Sequence, residues 1–202
     1  MKIFDRHRLY VASSWRNTFY EAILPQLREH HDCYDFRNPL SGGPIPPDGV
    51  SPTGFRWLDA NPEFKIMHPN ALVMYRDMLK HEISQRSFAA DFGAMKWADT
   101  CVLVLPCGRS AHIEAGWMAG SGRKLVVYMP PVNQYCWDCG GEGKQGQYNH
   151  LVCTTCKGTG FLTPQWEFEP ELMYLVGGDP GLICFTIEEV LARIRVGDEQ
   201  SP

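Results

Sequence analysis

Thr100-Cys101-Val102-Leu103-Val104-Leu105, running into Pro106-Cys107-Gly108-Arg109-Ser110, decides the fold. After its threonine the run is apolar without alternation, the pattern of a strand covered on both faces, and such strands belong to parallel sheets. The loop after it leads into a helix over 110–119, with Ser110 placed to cap it. A central strand that ends in a polar loop and a helix start is the basic unit of an open α/β sheet.

The rest of the chain extends that unit in both directions. Residues 124–129 predict the next strand, and 71–99 read as helix in two pieces. Residues 8–13 predict the first strand, and 32–36 the second. Between them 17–31 carries Phe19, Ile23 and Leu27 at helical spacing, although Pro25 should bend or shorten that helix. Residues 38–54, rich in Pro and Gly, form a long loop suited to a lid, with Phe55 and Trp57 following it. A short helix is expected near 169–176, a strand at 182–185 and a closing helix over 187–195. Thr186 and Glu189 have the spacing of a capping box. The expected fold is one α/β domain over 1–202, a flavodoxin-like doubly wound sheet of five parallel strands. Its ligand crevice would open at the carboxyl ends of the first and third strands, at Ser13-Ser14-Trp15-Arg16 and at 106–114.

The bulk numbers narrow the partners. Of 202 residues, 44% are hydrophobic and the net charge is −4, with no run of Lys or Arg to attract nucleic acid or an anionic membrane. No apolar stretch approaches the roughly 20 residues of a membrane span, and the first residues lack the apolar core of a secretory signal. The chain reads as soluble and cytoplasmic. Four of its eight cysteines, Cys33, Cys101, Cys107 and Cys184, are isolated in or beside apolar segments.

The other four, Cys136, Cys139, Cys153 and Cys156, form two Cys-x-x-Cys pairs, each followed by x-Gly-x-Gly. Two such turns supply four thiolates to one tetrahedral ion, so a structural zinc site is expected in an insertion over 133–163. Disulfides or a redox dithiol are the alternatives, but redox use needs only one pair. The closed shell leaves no open position for substrate, which makes the zinc structural and His150 a surface residue. The repeat resembles the zinc-binding region of J-domain co-chaperones, with two repeats present.

Glu114 lies one turn into the helix after the central strand, among small and apolar neighbours. It could equally be an acid stabilised by the helix dipole. Asp91 falls within an apolar stripe of Phe88, Phe92 and Met95, where a carboxylate is costly unless paired or used in a site. Asp99 reads as a turn residue and Tyr10 as a core aromatic. His112 reads as a helix-start residue.

Three blocks, Tyr10-Val-Ala-Ser-Ser-Trp15, Asp91 with Trp97-Ala-Asp-Thr-Cys-Val-Leu-Val-Leu, and Gly108-Arg-Ser-Ala-His-Ile-Glu-Ala-Gly116, resemble the nucleoside 2-deoxyribosyltransferase superfamily, which includes 2′-deoxynucleoside 5′-phosphate N-hydrolases. The likeness spans 8–129 and resumes near 169; the zinc segment interrupts it. The resemblance implies that Glu114 is a nucleophile forming a glycosyl-enzyme ester. It also implies that Tyr10 hydrogen-bonds that carboxylate, that Asp91 contacts substrate and helps protonate the departing base, and that Trp15 lines the pocket. Classical transferases carry an acid six positions before the nucleophile, where this chain has Gly108. Gly108, Arg109 and Ser110 instead suit a phosphate, unless Arg109 only pairs with a carboxylate. Ser13, Ser14 and Arg16 complete the expected substrate-binding set.

The expected activity is therefore cleavage or transfer of the N-glycosidic bond of a (deoxy)nucleoside 5′-phosphate. A non-catalytic nucleotide sensor using the same crevice is the alternative. The zinc insertion could instead dock a protein or nucleic acid through Trp137 and Tyr148, but Lys144 and Lys157 are a thin footprint for nucleic acid. A small-molecule nucleoside or nucleotide is the expected partner, and the resemblance implies a homo-oligomer of two or more copies.

Overall fold

A computed structural model describes residues 6–15, 17–46, 48, 50, 54–65, 68–130, 134–135, 144–145, 151–154, 161–162 and 171–195. Its centre is a five-stranded sheet of β1 (Arg8–Ala12), β2 (Asp32–Tyr34), β3 (Thr100–Val104), β4 (Lys124–Tyr128) and a last strand Ile183–Cys184. In space their order is 2-1-3-4-last, and every pairing is parallel. This is the order of a flavodoxin-like doubly wound sheet. Four two-residue strands precede the last: β5 (Gln134–Tyr135), β6 (Lys144–Gln145), β7 (Leu151–Val152) and β8 (Phe161–Leu162). They pair antiparallel, β5 with β8 and β6 with β7, outside the main sheet, so Ile183–Cys184 is β9.

The sheet is buried on both faces because side chains alternate along each strand. Leu9, Val11, Val102, Val104 and Val126 point to one side. There they meet Ile23 and Leu27 of α1 (Thr18–His30) and Val190 and Ile194 of α7 (Ile187–Arg195). Tyr10, Ala12, Cys101, Leu103 and Val127 point to the other. They pack on Ala94 of α4 (Glu82–Trp97), on Ala111, Ala115 and Met118 of α5 (Arg109–Gly120), and on Leu172 of α6 (Leu172–Leu175). The short α2 (Trp57–Ala60) and α3 (Ala71–Lys80) lie beside α4, joined to each other by Trp57 against Tyr75 with ring centroids 5.1 Å apart. Among the described residues no helix is long and apolar enough to cross a membrane.

Local chemistry explains where elements depart from expectation. Pro25 sits inside α1 without ending it, because it is on the exposed face, where water can serve the carbonyl that loses its donor. β2 ends at Tyr34, and Asp35 turns inward to accept from the Tyr20 hydroxyl at 2.7 Å. Ser110 is not the cap of α5; Gly108 holds that position, and Ser110 lies in the first turn. On α4 the buried stripe is Ser84, Ser87, Ala90, Ala94 and Met95, while Phe88 is exposed and stacks on Phe92. The capping box of α7 forms: the Glu189 amide donates to Thr186 Oγ1 at 3.2 Å, and the Thr186 amide donates to the Glu189 carboxylate at 3.3 Å.

Candidate functional site

The carboxyl ends of β1 and β3 are tied together by one buried side chain. Asn17, the cap of α1, accepts from the Phe19 amide at 2.9 Å. Its Nδ2 lies 3.0 Å from Ser13 Oγ, 3.1 Å from the Val104 carbonyl and 3.0 Å from the Pro106 carbonyl. Ser13 itself donates to the Val104 carbonyl at 2.9 Å. Arg37 fixes the same turn from outside, donating to the carbonyls of Ser14 at 2.7 Å and Asn17 at 2.9 Å while lying over the Tyr20 ring. The turn after β1 is thus braced on two sides, which sets where Ser13, Ser14 and Trp15 stand.

Trp15 packs edge-on against Phe36, and Gly54 closes behind both. Gly54 has a φ of +70°, and a β-carbon there would lie 2.3 Å from the Phe36 carbonyl oxygen and 2.7 Å from the Trp15 ring. No other residue fits so tight an approach.

A cleft of about 590 Å³ opens at this switch point. Trp15, Phe36, Phe55 and Trp57 give it aromatic walls; Ser13, Ser14, Gly108, Ser110 and Ala111 supply small and hydroxyl groups. Arg56, Asp91 and Glu114 are its charged residues among those described. Glu114 belongs to the face of α5 that carries buried Ala111, Ala115 and Met118, so the helix turns its carboxyl toward the interior. Asp91 stands on α4 and accepts a 2.7 Å hydrogen bond from the Tyr34 hydroxyl.

Burial raises both members of this pair, and the Asp91 charge raises Glu114 further. Desolvation, then the nearby Asp91 charge, push Glu114 up to about 8, with Tyr10 pulling the other way. Desolvation pushes Asp91 up to about 6 despite the Tyr34 bond, which favours the ionised form. Between those values the cleft holds one proton on two carboxyls. The Tyr10 hydroxyl is buried and favours the Glu114 carboxylate, yet it makes no well-formed hydrogen bond to any described group. Burial raises Tyr10 and Tyr34 well above the ordinary tyrosine range, so both stay protonated and each keeps an O–H to donate.

Most of the site residues expected from sequence meet in this one cleft: Ser13, Ser14, Trp15, Asp91, Gly108, Ser110 and Glu114. Tyr10 lies in the core beside it. Arg109 is exposed at the start of α5 and is not among the cleft residues. His112 also stays outside, its Nδ1 3.1 Å from the Gly108 carbonyl and 3.4 Å from Cys107 Sγ. Arg16 lies outside the described residues, as do Cys136, Cys139 and Cys156. Cys153 is described and fully buried. Among the described residues no three His, Cys, Asp or Glu side chains gather where a metal could sit.

Sequence reasoning missed Tyr34, Asn17, Phe36 and Arg56. Tyr34 and Phe36 look like ordinary strand aromatics, and only the fold brings Tyr34 to Asp91, 57 residues away. Phe55 and Trp57 drew notice as followers of the long loop, and the charged residue between them was the available signal. Comparison with protein-family models, with curated proteins and with solved structures finds no match to this chain.

Proposed function

We propose that this protein cleaves or transfers the N-glycosidic bond of a (deoxy)nucleoside 5′-phosphate, with Glu114 as nucleophile and Asp91 as its partner, in the manner of nucleoside 2-deoxyribosyltransferase-like enzymes. The carrying observation is the pair of half-buried carboxyls, from two helices, that lines one aromatic-walled cleft, where burial raises both above the ordinary carboxylate range. Such a pair suits glycosidic chemistry, in which one carboxylate meets the developing oxocarbenium ion and one proton goes to the leaving group.

As the C1′–N bond breaks, its electron pair leaves with the base, whose nitrogen takes up the proton. A Glu114 carboxylate oxygen bonds C1′ to give a glycosyl ester. Water or a second base then attacks C1′, the ester bond breaks back to carboxylate, and the attacking group's proton is released. Glu114 has the higher proton affinity before substrate binds, so the reaction requires that proton to pass toward Asp91 or the base. The aromatic walls offer stacking faces for the base.

The test is incubation with a panel of nucleosides and their 5′-monophosphates, scoring free base by chromatography. Release by the wild-type chain, lowered at least about a hundredfold by Glu114→Ala, is expected. No turnover of any substrate, or full activity in Glu114→Ala, overturns the proposal. The raised value of Glu114 favours one rival, since a protonated carboxyl is no nucleophile: a non-catalytic nucleotide sensor in the same cleft. Calorimetric binding without base release selects that reading.

A structural zinc ion on Cys136, Cys139, Cys153 and Cys156 belongs to the same proposal. In the sequence Cys136 follows β5 directly and Cys153 follows β7 directly, so each Cys-x-x-Cys pair begins where a short antiparallel strand ends. Cys153 is fully buried while Leu151 and Val152 beside it are exposed, a burial that suits an inward-turned thiolate ligand. The ion would supply cross-linking of the insertion, with no part in the reaction. Burial pushes the thiols of Cys33 and Cys184 up to about 12 and about 11, the inert state suited to a reducing cytoplasm. Phe88 and Ile113, exposed on α4 and α5, are apolar surface that supports a homo-oligomer.

A further inference from the structure

We infer that Arg56 is the anion-recognising residue of the cleft, selecting a phosphorylated over an unphosphorylated nucleoside. The inference rests on the glycosidic reading above for its substrate class and assigns a role to a residue that reading leaves unused.

Three observations carry it. First, Arg56 is the cation among the described residues that line the cleft; the other two charged residues there, Asp91 and Glu114, are acids. A phosphate brings more negative charge into a space that already holds carboxylate character, so a positive group must face it there. Arg109, which has the sequence position expected of a phosphate ligand, is exposed and outside the lining.

Second, the Arg56 guanidinium is uncommitted. Its ion pair is with Asp59, Nε to Oδ1 at 3.9 Å, too long for a hydrogen bond, and its side chain is 65% exposed. The Asp59 carboxylate is instead engaged by the Arg56 backbone amide, which donates to Oδ2 at 2.8 Å. This bond anchors the start of α2 through main chain and leaves the terminal guanidinium nitrogens free of any described partner. Two parallel N–H donors in a planar fork match two phosphate oxygens.

Third, the backbone beneath Arg56 is held. Phe55 and Trp57 on either side both line the cleft and meet edge-on at 5.1 Å, and Trp57 is braced in turn by Tyr75 of α3. A long cationic arm on a fixed base can reach into the cleft at the cost of side-chain freedom alone. Ser110 and Gly108, at the first turn of the 12-residue α5, line the same space and offer a hydroxyl and main-chain amides to an anion.

Isothermal calorimetry tests the assignment with four deoxynucleosides, their 5′-monophosphates and inorganic phosphate, on the full chain and on Arg56→Gln, Arg109→Gln and Arg76→Gln. Arg76 is exposed on α3, and its variant removes one charge away from the cleft. The expected result is at least a tenfold loss of monophosphate affinity in Arg56→Gln, with nucleoside affinity within twofold of the parent and Arg76→Gln unchanged. Inorganic phosphate should compete with the monophosphates in the parent and fail to do so in Arg56→Gln. If Arg109→Gln causes the loss and Arg56→Gln does not, the assignment is overturned. It is also overturned if Arg56→Gln weakens nucleosides and monophosphates alike, since Arg56 then holds something other than the phosphate. A parent chain that binds both ligand types equally overturns this inference while leaving the glycosidic reading standing. One that binds neither overturns both.

Discussion

Glu114 and Asp91 stand on different helices, and burial alone raises each above the ordinary carboxylate range. Together, in a desolvated cleft, they resist ionising in turn, with values near 8 and 6. Both lie above the unfolded values, so the folded chain holds these protons more tightly. The stabilisation is full below about pH 4 and is lost as pH rises toward 8. Glu114→Gln should therefore be more stable than the parent at pH 8, by up to an amount on the order of 3 kcal/mol, with no gain near pH 4. Urea denaturation at the two pH values measures this. Activity should follow a bell with limbs near 6 and 8, where one proton sits on the pair. Tyr34→Phe removes the donor that favours ionised Asp91, so the acid limb should move to higher pH with the alkaline limb unmoved. A fall in kcat with both limbs fixed would mean that Tyr34 is only structural. Glu114 and Asp91 were legible in the sequence because a carboxylate among apolar neighbours is conspicuous. Tyr34 was not, because its partner is set by tertiary packing across the sheet.

The turn after β1 and the loop that ends at Gly54 set the cleft's shape, and both depend on single residues. Asn17→Ala removes a helix cap and the link between the ends of β1 and β3, with an expected loss of about 2 kcal/mol or more. Gly54→Ala puts a β-carbon against the Phe36 carbonyl at a left-handed φ, and Trp15 must move. Thermal denaturation should show a loss of about 1–3 kcal/mol, together with weaker nucleotide binding by calorimetry. The periodicity of α4 was readable, but its buried side was assigned by following phenylalanines. The helix instead buries Ser84, Ser87, Ala90 and Ala94, small residues that let it lie close to the sheet, and leaves Phe88 outside. Ser110 was a reasonable cap by composition; the loop from Pro106 turns into helix sooner, and Gly108 takes that place.

Across the whole molecule, the five-stranded parallel sheet was legible because its central strands are continuous apolar runs and its helices fall between them. The proposed zinc insertion rests on cysteine spacing, and the two-residue strands beside it are too short to have signalled themselves in the sequence. If the proposed zinc is bound, chelation with a strong zinc ligand should release one ion per chain by metal analysis while far-UV dichroism keeps most of its helical signal, because α1, α4, α5 and α7 pack on the five-stranded sheet.

The connection from β4 to β9 also has a consequence for how such a chain could change over time. The Met129 amide donates to the Cys184 carbonyl at 2.8 Å, so the two ends of a long excursion are fastened side by side on the sheet. Lengthening a connection whose ends are already fixed adds only a slowly growing entropic cost. Leu172 and Val176 return to the core before β9 begins. Between those fastened ends the connection is a place where a lineage could acquire, exchange or lose a module without rebuilding the cleft, and where a reporter protein could be grafted by design.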